Sequence, residues 1–329
     1  MPLSMGTLPV SIIIPVNKVN EHVVKNVTHL KQLDYPDFEV LVFYSEEGGP
    51  AVKNPPEFLK LIKTELVKPG DKRDLALKYA RGEVFAFIDD DAYPRPDWLR
   101  AAVGHFEDDT VGAVAGPNVT PESDTIPQKA SGVILESFLG SGSISYRYRS
   151  IGNVKDVDDF PTVNLIVRRD VFETVGGFDT YYWPGEDTKF CLDLVNLGKK
   201  IRYDPKVVVH HHRRDLFWDH FEQVGRYGRH RGFFMKAFPQ TSLRAIYLAP
   251  VLFLLYVLAL PILVGVTQLA LIPGAAYAAL VLVESGRGAH HYREPRLFIY
   301  ALVGFALTHL WYGINILRGL LSRELYARV

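Results

Sequence analysis

The chain has 329 residues, room for one large domain or two smaller ones, and balances 37 Lys+Arg against 37 Asp+Glu. A formal net charge of zero offers no global attraction to a polyanion, so nucleic acid is not an expected partner. The single cysteine, Cys191, excludes an internal disulfide framework, and its neighbours Phe190 and Leu192 mark it as a packing residue rather than a nucleophile.

Val10 to Val16 is a β-rich apolar run that contains Pro15, and predicts a first strand. No basic region followed by an apolar one precedes it, so no secretory signal peptide is expected. Residues 21–33 carry Val23, Val24, Val27 and Leu30 on one helical face. Glu39 to Tyr44 predicts a second buried strand, and Ile62 to Val67 a third. Asp71 to Arg81 predicts a helix closed by Gly82. The apolar run Val84 to Ile88 then ends abruptly in Asp89, Asp90 and Asp91. Three carboxylates at the carboxyl end of a buried strand sit where open α/β sheets place their ligands. Adjacent acids repel, and a divalent cation with hard oxygen ligands would relieve them. The plainer alternative is a solvated acidic turn leading to a helix cap at Asp97. Asp97 to Phe106 predicts a helix and Val111 to Ala115 another strand. Strands alternating with helices imply a mostly parallel sheet with covered faces.

Residues 117–160, rich in Gly, Ser, Pro and Tyr, read as a long functional loop or lid. Thr162 to Arg168 predicts a strand, Arg169 to Val175 a short helix, and Thr188 to Leu197 a helix capped by Gly198. Ile201 to Tyr203 and Val207 to Val209 predict two strands, the second running into His210, His211 and His212.

The order of these motifs resembles a family 2 glycosyltransferase of the GT-A fold over roughly residues 9–232. The matching pieces are Ser11-Ile-Ile-Ile-Pro15, Lys72-Arg73, the aspartates 89–91, Gly177-Phe178-Asp179, Gly185-Glu186-Asp187, the histidine run, and Gln223-x-x-Arg226-Tyr227-Gly228. His309-x-x-Tyr312-Gly313 is similar to a membrane-bound subgroup that builds polysaccharide on lipid carriers. The implied fold is α/β: a nucleotide-sugar-binding domain with a mixed, mostly parallel sheet flanked by helices, followed by transmembrane helices.

The resemblance also implies roles. Asp89 and Asp91 would form the Asp-x-Asp pair, with Asp91 the closest ligand of Mn²⁺ or Mg²⁺ and Asp89 reaching the ribose or the metal's water. One histidine of the run would complete the metal site; the expectation favours His210, though alternation alone does not choose among the three. Pro15, Arg73, Asp89, Asp90 and Glu46 would contact the donor, a UDP-sugar by family habit. Asp187, beside Glu186, would be the base for the acceptor hydroxyl, and a single base implies inversion. Both acids could instead cap the helix that follows. Gln223 and Arg226 share a helical face and, with Asp179, would meet the acceptor or its phosphate. The chain departs from the family at the end of the second strand. An Asp pair for the nucleobase is usual there, and this chain has Tyr44, Ser45, Glu46 and Glu47; after Pro15 it has Val16-Asn17-Lys18.

Three regions are expected: a catalytic domain over 1–225, an amphipathic interfacial segment over 226–245, and a membrane region over 246–329. The middle segment interleaves Arg229, Arg231 and Lys236 with Phe233, Phe234 and Phe238, suited to an anionic leaflet. From Ile246 to Val283 there is no charged residue. Spans are expected near 246–266, 268–284 and 297–317, with the catalytic domain cytoplasmic in a multi-pass inner-membrane protein. His309 within a span is a candidate for function or helix contact. The function expected is sugar transfer from a nucleotide-sugar to a polyprenyl-linked glycan or other lipid acceptor. The alternatives are a processive polysaccharide synthase and a non-catalytic membrane scaffold.

Overall fold

The computed structural model describes residues 7–325; the ends of the first and last expected regions, 1–6 and 326–329, lie outside the described residues. The strands are β1 (Val10–Lys18), β2 (Phe38–Glu46), β3 (Leu59–Lys63), β4 (Val84–Phe87), β5 (Ala92–Pro94), β6 (Val111–Ala115), β7 (Asn118–Val119), β8 (Lys155–Val157), β9 (Leu165–Arg168), β10 (Lys200–Tyr203) and β11 (Val209–His211). The helices are α1 (Glu21–Leu30), α2 (Pro69–Asp74), α3 (Ala76–Tyr79), α4 (Trp98–Val103), α5 (Ile126–Glu136), α6 (Phe138–Ser141), α7 (Arg169–Val175), α8 (Glu186–Asn196), α9 (Trp218–Ala237), α10 (Pro239–Ser242), α11 (Ala245–Val266), α12 (Leu271–His291) and α13 (Arg296–Leu321).

The chain forms two compact units. One runs to Val119 and resumes from Arg149 to His211; the other comprises Thr120–Tyr148 and the chain from His212 onward. In the first unit an eight-stranded sheet has the order β3-β2-β1-β4-β9-β6-β10-β8. β1 pairs in parallel with both β2 and β4, while β9 lies antiparallel between β4 and β6. Central strands covered on both faces must be apolar along their whole length. β1 accordingly buries its first seven residues, and all four residues of β4 are buried. A small second sheet, β5-β11-β7, carries the histidine run beside the acidic triplet.

Several expectations shift. The predicted helix over 71–81 is broken into α2 and α3, and the third strand lies earlier, at Leu59–Lys63. β11 begins where the predicted strand ended, so the ladder takes in His210 and His211. The expected loop over 117–160 is largely ordered instead. Its longest element, α5, begins with a capping box in which Thr125 and Gln128 satisfy each other's backbone N–H groups.

In the second unit α9 runs unbroken through Arg226, so residues 226–237 continue a packed helix rather than forming a separate segment. α9 and α13 cross closely through glycines. A Cβ on Gly232 would stand 2.0 Å from the Ile316 carbonyl oxygen, and one on Gly319 1.9 Å from that of Arg229. Among the described residues three helices are long and apolar enough to cross a membrane, Ala245–Val266, Gln268–His291 and Arg296–Leu321, of 22, 24 and 26 residues. At 1.5 Å per residue each exceeds a hydrocarbon core of about 30 Å. His309 acts here as a helix contact: its Nδ1 lies 2.8 Å from the Tyr277 hydroxyl and its Nε2 3.1 Å from the Leu139 carbonyl.

Candidate active site

The site grows from the carboxyl end of β4. Asp89, Asp91 and His211 bring ligand atoms within 4.8 Å of one another. His211 Nε2 lies 3.2 Å from Asp91 Oδ1. The register explains this: β11 runs antiparallel to β5, setting His211 opposite Ala92 and His210 opposite Tyr93. The histidine at the acids is therefore His211, not the expected His210. His210 faces the other way and stacks on Tyr93 at 4.9 Å, and Tyr93 stacks on His29 at 4.1 Å. Two carboxylates and one imidazole at this spacing suit a divalent cation that accepts oxygen and nitrogen ligands.

Asp90 points away from the cluster, as alternation requires. Its Oδ2 accepts from Asn20 Nδ2 at 2.5 Å, and burial followed by the charge of Asp91 pushes its carboxyl above the usual range. Buried Asn26 donates to the carbonyls of Asp90 and Ala92 at 2.8 and 2.7 Å. Two asparagines on or beside α1 thus hold the acidic turn. An asparagine on the apolar stripe of Val23, Val27 and Leu30 was the available sequence signal. Asn26→Leu takes this donor from the buried Ala92 carbonyl and the half-buried Asp90 carbonyl, and is expected to cost about 2 kcal/mol in denaturant melts.

Arg73 links two motifs distant in sequence. It is buried, with Nη2 2.7 Å from Asp89 Oδ1 and Nη1 3.6 Å from Glu186 Oε1. Glu186 is buried at the start of α8, and burial, reinforced by Asp187 and opposed by Arg73, pushes its carboxyl up to about 7. Asp187 is half-buried, and its Oδ1 accepts the Thr188 amide at 2.7 Å. Thr188 in turn donates to buried Asp159 at 3.1 Å, which pins the first turn of α8.

Gly177-Phe178-Asp179 is placed by Asp74, which sequence reasoning passed over. Asp74 Oδ1 accepts the Phe178 amide at 2.9 Å. Gly177 has φ +85°, and a Cβ there would meet Asp74 Oδ1 at 2.6 Å, so the position demands glycine. Phe178 packs on Phe87, Phe172 and Phe190, and Asp179 caps the next turn through the Tyr181 amide. Burial pushes Asp74 from 3.8 up to about 7. Between these values the folded state keeps a proton that the unfolded state has released. Stability from this group is therefore full below about pH 4 and is lost as pH rises through about 7. Asp74→Asn keeps the acceptor for Phe178 and removes the ionisation. It should match wild type below about pH 4, gain over it progressively as pH rises through 5 and 6, and hold its full advantage of several kcal/mol above about pH 7, read from melting curves.

Of the other expected residues, Pro15 is buried in β1 and Glu46 is exposed at the end of β2. In the second unit Arg226 is exposed and paired with Glu222 one turn earlier, while Gln223 is half-buried on the same helix.

A mostly parallel sheet with Asp-x-Asp at the end of its central strand, a bridging Arg73 and a Glu-Asp helix start define a GT-A nucleotide-sugar fold. The chain belongs to the glycosyl transferase family group 2, whose profile matches residues 84–314. Its fold is similar to that of the mannosyltransferase PcManGT from Pyrobaculum calidifontis, solved in complex with GDP-Man and Mn²⁺. The TM-score is 0.60 at 20% identity, covering 97% of this chain and 89% of that one. It is 24% identical over 329 aligned positions to the dolichyl N-acetyl-α-D-glucosaminyl phosphate 3-β-D-2,3-diacetamido-2,3-dideoxy-β-D-glucuronosyltransferase of Methanococcus voltae, covering 95% of this chain and 97% of that enzyme. A 160-residue stretch is 31% identical to the pre-mycofactocin glycosyltransferase of Mycobacterium tuberculosis, covering 49% of this chain but only 33% of that relative's length.

Proposed function

We propose that this protein transfers a sugar from a nucleotide-sugar to a lipid-linked acceptor, with inversion, at the cytoplasmic face of a membrane. The observation that carries the reading is the pair of carboxylate motifs joined through Arg73, together with the three helices among the described residues that are long and apolar enough to span a bilayer. Asp89, Asp91 and His211 would hold Mn²⁺ or Mg²⁺, which when bound neutralises charge on the diphosphate leaving group. Arg73 adds a fixed positive charge beside Asp89, and its burial makes that charge felt more strongly than it would be in water. Asp187 takes the proton of the acceptor hydroxyl. Glu186 is less suited, because it is buried against Arg73 and burial favours its protonated form.

A lipid acceptor is supported by the long apolar helices and by the dolichyl-linked substrate named for the Methanococcus voltae relative. The test is nucleoside diphosphate release by the full chain in lipid vesicles with Mn²⁺. Vesicles carrying polyprenyl-phosphate-linked sugars should support turnover, and soluble sugars at equal concentration should not. Equal turnover with both would remove the lipid acceptor from the proposal. No release with any pairing of donor and acceptor would remove transfer itself.

A further inference from the structure

We propose that Asn17, locked in one orientation by the buried Lys72, selects donors whose base carries a carbonyl oxygen over those with an amino group at the same place. This rests on the proposal that a nucleotide-sugar binds at the carboxyl ends of the central strands.

Lys72 is 1% exposed, a burial rare for lysine, and its ammonium is fully engaged. Nζ donates to the Val16 carbonyl at 2.7 Å, to Ser45 Oγ at 3.0 Å and to Asn17 Oδ1 at 3.2 Å. These acceptors close the ends of β1 and β2, which lie side by side in parallel. An ammonium only donates, so the amide atom facing it must be oxygen. That fixes the Asn17 side chain: its Nδ2, with two N–H donors, turns away from Lys72 on a residue that is itself exposed. Ser45 offers no competing donor, because its hydroxyl accepts from Lys72 and lies 3.3 Å from the Asn17 carbonyl, to which it donates.

The position suits a base. β1 lies between β2 and β4, and β4 leads into the acids that would face the diphosphate. Adjacent strands are about 4.8 Å apart, so the β2 end stands about 10 Å from the β4 end, the reach of a ribose and base. A carboxylate at these strand ends would accept a base N–H; at the end of β1 this chain presents amide donors. Guanine, hypoxanthine and uracil carry a carbonyl where adenine and cytosine carry an amino group. The carbonyl pairs with Nδ2, whereas the amino group sets donor against donor. Glu46, exposed on the next strand, is the competing reader, since it would accept from an amino group.

The experiment titrates the full chain with Mn²⁺ and five nucleoside diphosphates: GDP, IDP, UDP, ADP and CDP. IDP should bind more tightly than ADP, and UDP more tightly than CDP, by roughly tenfold each, the size of one hydrogen bond made or opposed. Asn17→Asp keeps a partner for Lys72 and replaces donors by an acceptor, so both preferences should invert. Lys72→Met frees the amide to turn and should erase them, and the exposed Asn17 variant keeps the test decisive if that protein does not fold. Equal binding within both pairs in the wild type would overturn the inference while leaving the donor site standing. So would a ranking that moves with Glu46→Gln but not with Asn17→Asp. If none of the five binds, the donor-site reading itself fails, and the inference with it.

Discussion

Asp91→Ala should abolish Mn²⁺-dependent nucleotide binding and lower turnover by roughly 10³-fold, several kcal/mol of lost charge stabilisation. The fold should survive, for an electrostatic reason. Asp91 is 7% exposed and shares its turn with two other carboxylates, whose mutual repulsion shrinks when one is removed. Among the interactions lost is its contact with His211 at 3.2 Å. If Asp91 served only as a structural partner of half-buried His211, removing it should clearly lower the metal-free melting temperature. As a metal ligand, it should instead leave the metal-free melting temperature nearly unchanged and remove the rise that Mn²⁺ brings. For a wild-type site at a hundred times its dissociation constant, that rise corresponds to about 2.7 kcal/mol. Thermal melts with and without Mn²⁺ therefore separate the roles. A variant that melts much lower without metal, yet keeps its response to Mn²⁺, would assign Asp91 to structure.

Much of the catalytic fold was legible because its central strands are buried on both faces and so read as unbroken apolar runs. Val10–Val16 and Val111–Ala115 lie wholly in strands, Val84–Ile88 does so up to Phe87, and α7 has the bounds its sequence predicts. Gly, Ser and Pro hid α5 because composition registers low helix propensity and not the capping box that starts the helix. The break between α2 and α3 was equally silent, since residues 71–81 contain neither Gly nor Pro. His211 over His210 was a question of register. Alternation says that neighbours face opposite ways, but only the pairing of β11 with β5 says which of them meets Asp91. Asn26 and Asp74 escaped because their partners are backbone groups more than sixty residues away, and no local pattern encodes such a bond.

Asp187→Asn should lower turnover by about 10²–10⁴-fold, the usual size of a general-base contribution. The substitution separates two roles that this residue can hold together. Its Oδ1 accepts the Thr188 amide at 2.7 Å in the first turn of α8, where a carboxylate also favours the helix dipole. Asparagine keeps an oxygen for that amide, so the loss of capping should stay below about 1 kcal/mol. Glu186 should benefit, since the charge of Asp187 helps hold its carboxyl up at about 7. Losing that charge lets Glu186 ionise more readily against Arg73, which offsets part of any destabilisation. The donor should bind as before, because the proposed mechanism sets Asp187 on the acceptor hydroxyl and Arg73 and the acidic turn on the donor side. A fall in turnover with unchanged donor affinity and melting temperature marks an interaction made only in the transition state. A cap that does no chemistry would give the reverse, with lower stability and near-normal rate. That outcome would take the base away from Asp187 and direct the same three measurements to Glu186 and Asp179.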